Sequence, residues 1–204
     1  HASDFCYMTS HDKLTCFTST YSREFYRSRG NFIEIGGMEV ARKGDDAQVQ
    51  ELLRKVGSGK AFGTNARMIT AAEAKERFPL LEEDSIECAM WDPDAGLVTP
   101  RSQKVAGDLV DEAVAAGKLQ VFPYTAADEI IVEDGRAVGV KTAKGTVMAD
   151  YVVLCAGIWG SLVSETADVK LPLMPVEHPL LFFGPWDALE GTGKDIVYPL
   201  FRDQ

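Results

Sequence analysis

The chain has 204 residues, a hydrophobic fraction of 46% and a formal net charge of −10 at pH 7. This hydrophobic fraction can fill a core, so the composition argues against a disordered chain. The negative charge argues against a nucleic-acid partner, because phosphates attract cations. No apolar run approaches the roughly 20 residues that span a bilayer, so we expect no membrane span.

The first third of the chain predicts helices alternating with short strands. Four apolar residues recur at helical spacing: Leu14, Phe17, Tyr21 and Phe25. They predict a core-facing helix over residues 12–29, with Ser10 as its cap. Residues 31–44 predict two short strands hinged at Gly36-Gly37. Thr70 and Glu73 have the spacing of a capping box, which predicts the start of another helix.

One glycine cluster invites comparison with a phosphate-binding loop. It covers residues 57–63 and follows a predicted amphipathic helix over residues 45–57. A dinucleotide fingerprint has the pattern G-x-G-x-x-G and comes directly after a strand. Since no strand precedes this cluster, we interpret it as a loop.

The middle of the chain predicts a strand, an acidic turn, a helix and two further strands. Asp92 and Asp94 belong to the turn, whose composition is ordinary turn chemistry, so we do not interpret it as a metal site. The helix is expected over residues 101–117. The strands are expected at residues 118–124 and 129–132.

The most informative segment runs from Gly135 to Gly160. It predicts a hairpin followed by the strand Y-V-V-L-C-A-G over residues 151–157, which is apolar on both faces as a buried central strand is. Ala156 and Gly157 stand at its carboxyl end, where open α/β sheets bind ligands. Their small side chains allow a dinucleotide to approach the backbone closely.

This segment resembles the FAD-dependent amine oxidoreductases, a family that includes glycine oxidase, sarcosine oxidase and dimethylglycine dehydrogenase. The resemblance is closest to the dimethylglycine and sarcosine branch. The residues that match the family pattern are Gly135, Val138, Gly139, Val140, Thr142, Gly145, Ala149, Asp150, Val152, Val153, Ala156, Gly157 and Trp159. Segments 32–41, 68–81, 91–117 and 171–183 also resemble successive parts of the family.

The resemblance implies a mixed fold, α/β plus α+β. Part of a Rossmann-like FAD-binding domain would be interleaved with part of an antiparallel-sheet substrate domain. Residues 1–30 and 101–165 are expected in the FAD-binding domain, and residues 31–100 and 171–204 in the substrate domain. The family's G-x-G-x-x-G motif is not in this sequence. We therefore expect an internal fragment of a larger oxidoreductase that is inactive when isolated.

The resemblance also implies the cofactor contacts. Ala156, Gly157 and Trp159 match the family segment that lies along FAD, and Ala127 matches a position whose backbone meets the adenine. His1, followed by alanine, stands where the dimethylglycine and sarcosine branch attaches FAD covalently. A cloning remnant is the alternative origin of this histidine.

The implied reaction is the oxidation of a secondary or tertiary amine of a small amino acid, with hydride transfer to FAD. His178 is the candidate catalytic residue, because a neutral imidazole can accept a proton from a substrate ammonium. The electron acceptor would be oxygen or an electron-transfer flavoprotein. The alternatives are a glycine or D-amino-acid oxidase or dehydrogenase, and a non-catalytic regulatory homologue.

The four cysteines are scattered and show no zinc-ligand spacing. We expect free thiols, which favour the cytosol or the mitochondrial matrix. Cys155 lies inside the predicted central strand, so we expect it to be a buried apolar filler.

Overall fold

The structure is a computed structural model that describes residues 4–177, 184–191 and 198–203. The chain divides into two compact units. The first comprises His1–Ala116 with Gly184–Gln204, and the second comprises Gly117–Phe183. The domain boundaries proposed from the sequence stay a prediction.

The elements follow one another in mixed order. The helices are α1 (Lys13–Ser28), α2 (Asp46–Ala61), α3 (Ala71–Arg77), α4 (Ser102–Ala115) and α5 (Gly160–Glu165). The strands are β1 (Phe5–Cys6), β2 (Phe32–Glu34), β3 (Gly37–Arg42), β4 (Arg67–Thr70), β5 (Ile86–Asp92), β6 (Gly96–Val98), β7 (Glu129–Glu133), β8 (Arg136–Thr142), β9 (Gly145–Met148) and β10 (Leu200–Asp203). Short 3-10 helices cover Glu83–Ser85, Gly157–Trp159 and Asp187–Leu189.

The first unit is built on two sheets. One has the strand order β1-β6-β2, and the other has the order β10-β3-β5-β4. In the larger sheet β10 runs parallel to β3, whereas the other pairs are antiparallel. Met38 and Val40 of β3 pack in one apolar cluster with Ala74 of α3. Ala41 packs with Leu52 of α2 in a second cluster, so alternate residues of β3 contribute to different clusters.

The predicted capping box is confirmed at α3. The side chain of Thr70 accepts a hydrogen bond from the Glu73 backbone N–H, and the Glu73 side chain accepts one from the Thr70 N–H. These two bonds satisfy N–H groups that would otherwise lack a partner in the first turn. The helix ends at Arg77, two residues before Pro79, as a proline requires.

Helix α1 forms where predicted, but its apolar face does not pack on the core. The exposed fractions are 70% for Leu14, 63% for Phe17, 67% for Tyr21 and 38% for Phe25. Buried Cys16 lies on the packed side instead. Periodicity identifies residues that share a face, but it does not reveal whether another element covers that face. The cap is Asp12 rather than Ser10, since Asp12 accepts from the Thr15 N–H at 2.7 Å.

The loop interpretation of the glycine cluster over residues 57–63 is corrected for its larger part, since only residues 62 and 63 form a turn. Gly57 and Gly59 lie within α2, which continues to Ala61. A Cβ at Gly59 would stand 2.4 Å from the Thr64 hydroxyl oxygen and 2.6 Å from the Thr9 methyl carbon. The glycine therefore lets the segment around Thr9 lie directly against α2.

The acidic turn after β5 serves the packing of the first unit. Asp92 is fully buried. Its Oδ2 atom accepts hydrogen bonds from the backbone N–H groups of Met8 and Thr9, each at 3.0 Å. Asp94 binds Arg23 at 2.8 Å and Asn65 at 2.6 Å. Both carboxylates are thus engaged with protein groups.

The second unit contains the antiparallel sheet β7-β8-β9, so the predicted hairpin is confirmed. The strand predicted at residues 118–124 is wrong. Those residues form a turn and irregular structure, and Val121, Phe122 and Tyr124 are exposed. Tyr124 has a positive φ of 54°, which is incompatible with an extended strand.

The predicted buried central strand over residues 151–157 is also wrong. This segment is assigned to no strand, Tyr151 is 85% exposed and Val153 is 80% exposed. The exposure of the side chains still alternates along the segment, because Val152 and Leu154 are half-buried. A strand requires a hydrogen-bonded neighbour, and among the described residues none pairs with this segment. Cys155 is accordingly exposed instead of buried.

Candidate cofactor site

A concave pocket of about 850 Å³ opens on the second unit. Small side chains and one indole form most of its wall. The lining residues are Ala126, Ala127, Asp128, Cys155, Ala156, Gly157, Trp159, Leu162 and Val163. Pockets for small molecules are commonly of this size and largely apolar.

Hydrogen bonds to the hairpin fix the walls of this pocket. The Asp128 N–H donates to the Lys141 carbonyl at 2.9 Å, which extends the β7–β8 pairing into the wall. The Thr166 hydroxyl accepts from the Ile130 N–H at 2.9 Å and donates to the Val163 carbonyl at 2.7 Å. Thr166 thereby ties the end of α5 to β7.

Four residues proposed from the sequence as cofactor contacts line this one pocket. They are Ala127, Ala156, Gly157 and Trp159. The Trp159 N–H donates to the Ala156 carbonyl at 3.0 Å, which closes the turn that carries three of them. Gly157 has a φ of +54°, a conformation that suits glycine. The other two proposed site residues, His1 and His178, lie outside the described residues.

Sequence reasoning missed the other residues of the pocket wall, which are Ala126, Asp128, Cys155, Leu162 and Val163. Leu162 and Val163 lie on α5, which begins directly after Trp159. A helix predicted to start after the Ala-Gly pair would have placed these two residues near the pocket. Cys155 was assigned to a buried strand. The sequence offers no signal for its exposure, because alternation places Cys155 opposite Leu154 but both faces of this segment are apolar.

The lining residues fit the planar rings of FAD better than its pyrophosphate. Alanine and glycine walls leave room for a flat ring to reach the backbone, and the exposed indole of Trp159 offers an apolar face. None of the described residues lining the pocket is a cation. A pyrophosphate would therefore need N–H donors or cations from elsewhere.

Thiol labelling gives a direct test of this pocket's accessibility. We expect maleimide to modify Cys155 first, since it is exposed, whereas Cys16 is only 1% exposed. Cys6 and Cys88 should react slowly, because burial raises the pKa of both thiols and lowers their thiolate fraction. Peptide mass spectrometry over a labelling time course measures the order, and faster labelling of Cys88 than of Cys155 would contradict it.

A second, polar pocket of about 540 Å³ lies within the first unit. Its wall includes Tyr7, Glu39, Lys55 and Arg202. The Lys55 Nζ atom is 2.6 Å from Glu39 Oε1, and both side chains are almost fully buried. Burial raises the pKa of the Tyr7 phenol, so this group stays protonated at neutral pH.

The described residues contain no group of three or more His, Cys, Asp or Glu side chains placed to hold a metal ion. No helix in the described part of the chain is long and apolar enough to cross a membrane.

Solved structures with the same fold belong to oxidoreductases of amino acids. L-proline dehydrogenase from P. horikoshii superimposes with a TM-score of 0.68 at 26% identity, over 80% of this chain and 44% of that chain. Glycine oxidase from Geobacillus kaustophilus gives a TM-score of 0.64 at 24% identity, over 83% of this chain and 48% of that one. These neighbours confirm the fold class predicted from the sequence.

The family model "DAO: FAD dependent oxidoreductase" matches residues 18–203. The chain therefore belongs to the FAD-dependent oxidoreductase family.

Three curated relatives are informative. Human mitochondrial sarcosine dehydrogenase is 29% identical over 77% of this chain, and 4-methylaminobutanoate oxidase from Paenarthrobacter nicotinovorans is 31% identical over 72%. The mitochondrial pyruvate dehydrogenase phosphatase regulatory subunit of Mus musculus is 26% identical over 92%. The matched parts are only 17%, 17% and 22% of those proteins, so the chain spans about a fifth of their length or less.

Proposed function

We propose that the protein containing this chain oxidises a secondary or tertiary amine of a small amino acid, of the N-methylglycine type, with FAD as cofactor. The observation that carries the proposal is the meeting of Ala127, Ala156, Gly157 and Trp159 at one pocket of the second unit. Family membership supports FAD as the occupant of this pocket.

The names of the relatives support the substrate class. Sarcosine is N-methylglycine, and two other relatives are named for dimethylglycine and 4-methylaminobutanoate. All three molecules combine an N-methylated amine with a carboxylate. Glycine oxidase from Pseudomonas putida is 30% identical over 44% of this chain. Because glycine is a primary amine, this relative supports a primary amine as the alternative substrate.

In this proposal each residue has a limited task. Bound FAD supplies the acceptor for the hydride that leaves the carbon next to nitrogen. Ala156 and Gly157 permit close approach to the backbone, and Trp159 provides an apolar wall. His178 accepts the proton of the substrate ammonium, which frees the nitrogen lone pair before the C–H bond breaks. His1 is proposed as the covalent attachment point.

Filling the pocket tests the cofactor assignment. We expect Ala156→Leu to lower the flavin content of the purified whole protein at least several-fold, because the larger side chain occupies the pocket wall. Ala143→Leu is the matched control, since Ala143 lies exposed in the β8–β9 turn of the same unit. Equal flavin content in both variants would contradict the assignment. So would a rate of Cys155 labelling that is the same with and without bound FAD.

The attachment at His1 has its own test. Mass spectrometry of the denatured protein should find the mass of FAD on the peptide that holds His1, and His1→Ala should release the flavin on denaturation. Flavin released from the unsubstituted protein would remove His1 from the proposal and leave the oxidoreductase assignment in place.

The second candidate is a non-catalytic regulatory protein of the same fold. It is favoured by the match to the phosphatase regulatory subunit, which extends over 92% of this chain. This candidate would be favoured if N-methylated amino acids do not reduce the bound flavin. It would also be favoured if the purified whole protein contains no flavin.

A further inference from the structure

The amino-terminal segment is tied to helix α4 by one carboxylate. The Asp4 Oδ1 atom accepts hydrogen bonds from the backbone N–H of Ser102 at 2.7 Å and from the hydroxyl of the same residue. Its Oδ2 atom accepts a hydrogen bond from Arg101 Nε at 2.8 Å. Asp4 therefore provides an acceptor for a free N–H in the first turn of α4, where a negative charge is also favourable.

Neighbouring groups hold the backbone of Asp4 as well. Its carbonyl accepts a hydrogen bond from the Val98 N–H at 2.9 Å, and the strand β1, which follows directly, pairs with β6. Phe5 is 57% exposed, so apolar burial contributes little at this point of the chain and polar contacts hold it instead. The hydrogen bonds from Ser102 also lower the pKa of the Asp4 carboxyl, which keeps it charged at neutral pH.

Asp4 has a left-handed backbone conformation, with a φ of +64°. This conformation costs an ordinary residue about 1–2 kcal/mol, although aspartate adopts it more readily than most. It persists where the surrounding structure determines it. Since φ describes rotation about the N–Cα bond, the contacts of Asp4 orient the peptide bond on the amino side of this residue.

His1, the proposed attachment point of FAD, precedes Asp4 by three residues. Three residues span at most about 11 Å, so the fixed position of Asp4 limits the reach of the histidine. A bond between two groups forms efficiently only when they are held in the right geometry. A fixed anchor so near the reacting side chain therefore has a direct use in the attachment.

We propose that Asp4 is a positioning residue for the attachment of FAD, because its bonds to Ser102 and Arg101 hold the segment that carries His1. This role rests on the proposed function, in which His1 is the attachment point. Attachment joins an imidazole nitrogen to a methyl carbon of the flavin ring, and each of these two atoms loses a proton. The two electrons pass to the flavin and then to dioxygen, which takes up the two protons as hydrogen peroxide.

The test compares the covalent flavin of the whole protein with its total flavin, measured after and before denaturation in acid. Asp4→Gly removes the carboxylate and leaves the left-handed conformation available. We expect its covalent share to fall about fivefold or more, with total flavin close to that of the unsubstituted protein. Asp4→Asn keeps an acceptor for Ser102 and should retain most of the covalent share. The matched control is Asp134→Gly, since Asp134 has a φ of +50° in the exposed β7–β8 turn.

A second variant leaves Asp4 itself unchanged. Ser102 is the first residue of α4, a position that tolerates proline, and Arg101 before it is extended, as a proline requires. Ser102→Pro therefore removes both donors to Asp4 Oδ1 while α4 can still form, and we expect the same loss of covalent flavin as in Asp4→Gly. An unchanged covalent share in either variant overturns the positioning role. A loss of total flavin in equal proportion also overturns it, because it would indicate a structural role only.

The results distinguish this role from the proposed function. A covalent flavin that depends on Asp4, but that N-methylated amino acids do not reduce, would keep the positioning role and reject the proposed function. A flavin that these amino acids reduce, and that stays covalent at the same share in Asp4→Gly, would do the reverse. Flavin held without a covalent bond in the unsubstituted protein would overturn the positioning role together with the attachment at His1.

Discussion

Lys55→Met is expected to destabilise the protein by about 3 kcal/mol or more, because it leaves the Glu39 carboxylate buried without its partner. The Lys55 side chain is 11% exposed and that of Glu39 is 2% exposed, so water can replace little of the lost contact. Arg202, at 3.9 Å, offers only partial compensation.

Two further variants make this prediction specific. The double variant Glu39→Met with Lys55→Met should recover much of the lost stability, since well-packed apolar residues can replace a buried ion pair. Lys60→Met on the exposed side of the same helix should change stability little. Urea denaturation measures all three. A single Lys55→Met variant as stable as the unsubstituted chain would show that Glu39 does not depend on Lys55.

Asp92→Ala is expected to cost about 3 kcal/mol, since removing an acceptor from buried donors costs roughly 1–3 kcal/mol per group. The donors are the backbone N–H groups of Met8 and Thr9 at 3.0 Å, with that of Asp94 at 3.3 Å. Asp84→Ala is the control, because that side chain is 97% exposed. Equal denaturation midpoints for the two variants would contradict this role for Asp92.

The pH dependence of Asp92 has a defined sign. Burial raises the pKa of this carboxyl above its ordinary value of 3.8, against the opposing effect of its hydrogen bonds. Because the folded-state pKa is raised, the contribution of Asp92 to the free energy of unfolding is fully present below pH 3.8. This contribution is lost as the pH rises through the folded-state pKa. The stability advantage of Asp92 over an Asp92→Asn variant should therefore shrink as the pH rises over this range.

Local signals in the sequence predicted local structure well. The Thr70–Glu73 capping box and the hairpin of β8 and β9 depend on neighbouring residues, and both are confirmed. Burial was predicted less well. The apolar face of α1 and the segment around Val153 were expected inside, yet both are exposed. Burial depends on a partner surface, which periodicity does not identify.

The two pockets illustrate the same limit. Ala156, Gly157 and Trp159 are close in sequence and could be proposed together from one motif. Glu39 and Arg202 are brought side by side by the parallel pairing of β10 with β3 across more than half of the chain. Neither residue belongs to a recognisable motif, so the sheet topology was needed to detect the polar pocket.

The most direct test of the account is anaerobic addition of N-methylglycine to the flavin-loaded whole protein, followed by its visible absorption spectrum. We predict loss of the oxidised-flavin absorption, with formation of one imine or its hydrolysis products for each flavin reduced. The proposed function would be contradicted if the bound flavin stays oxidised with each of three compounds, N-methylglycine, N,N-dimethylglycine and 4-methylaminobutanoate.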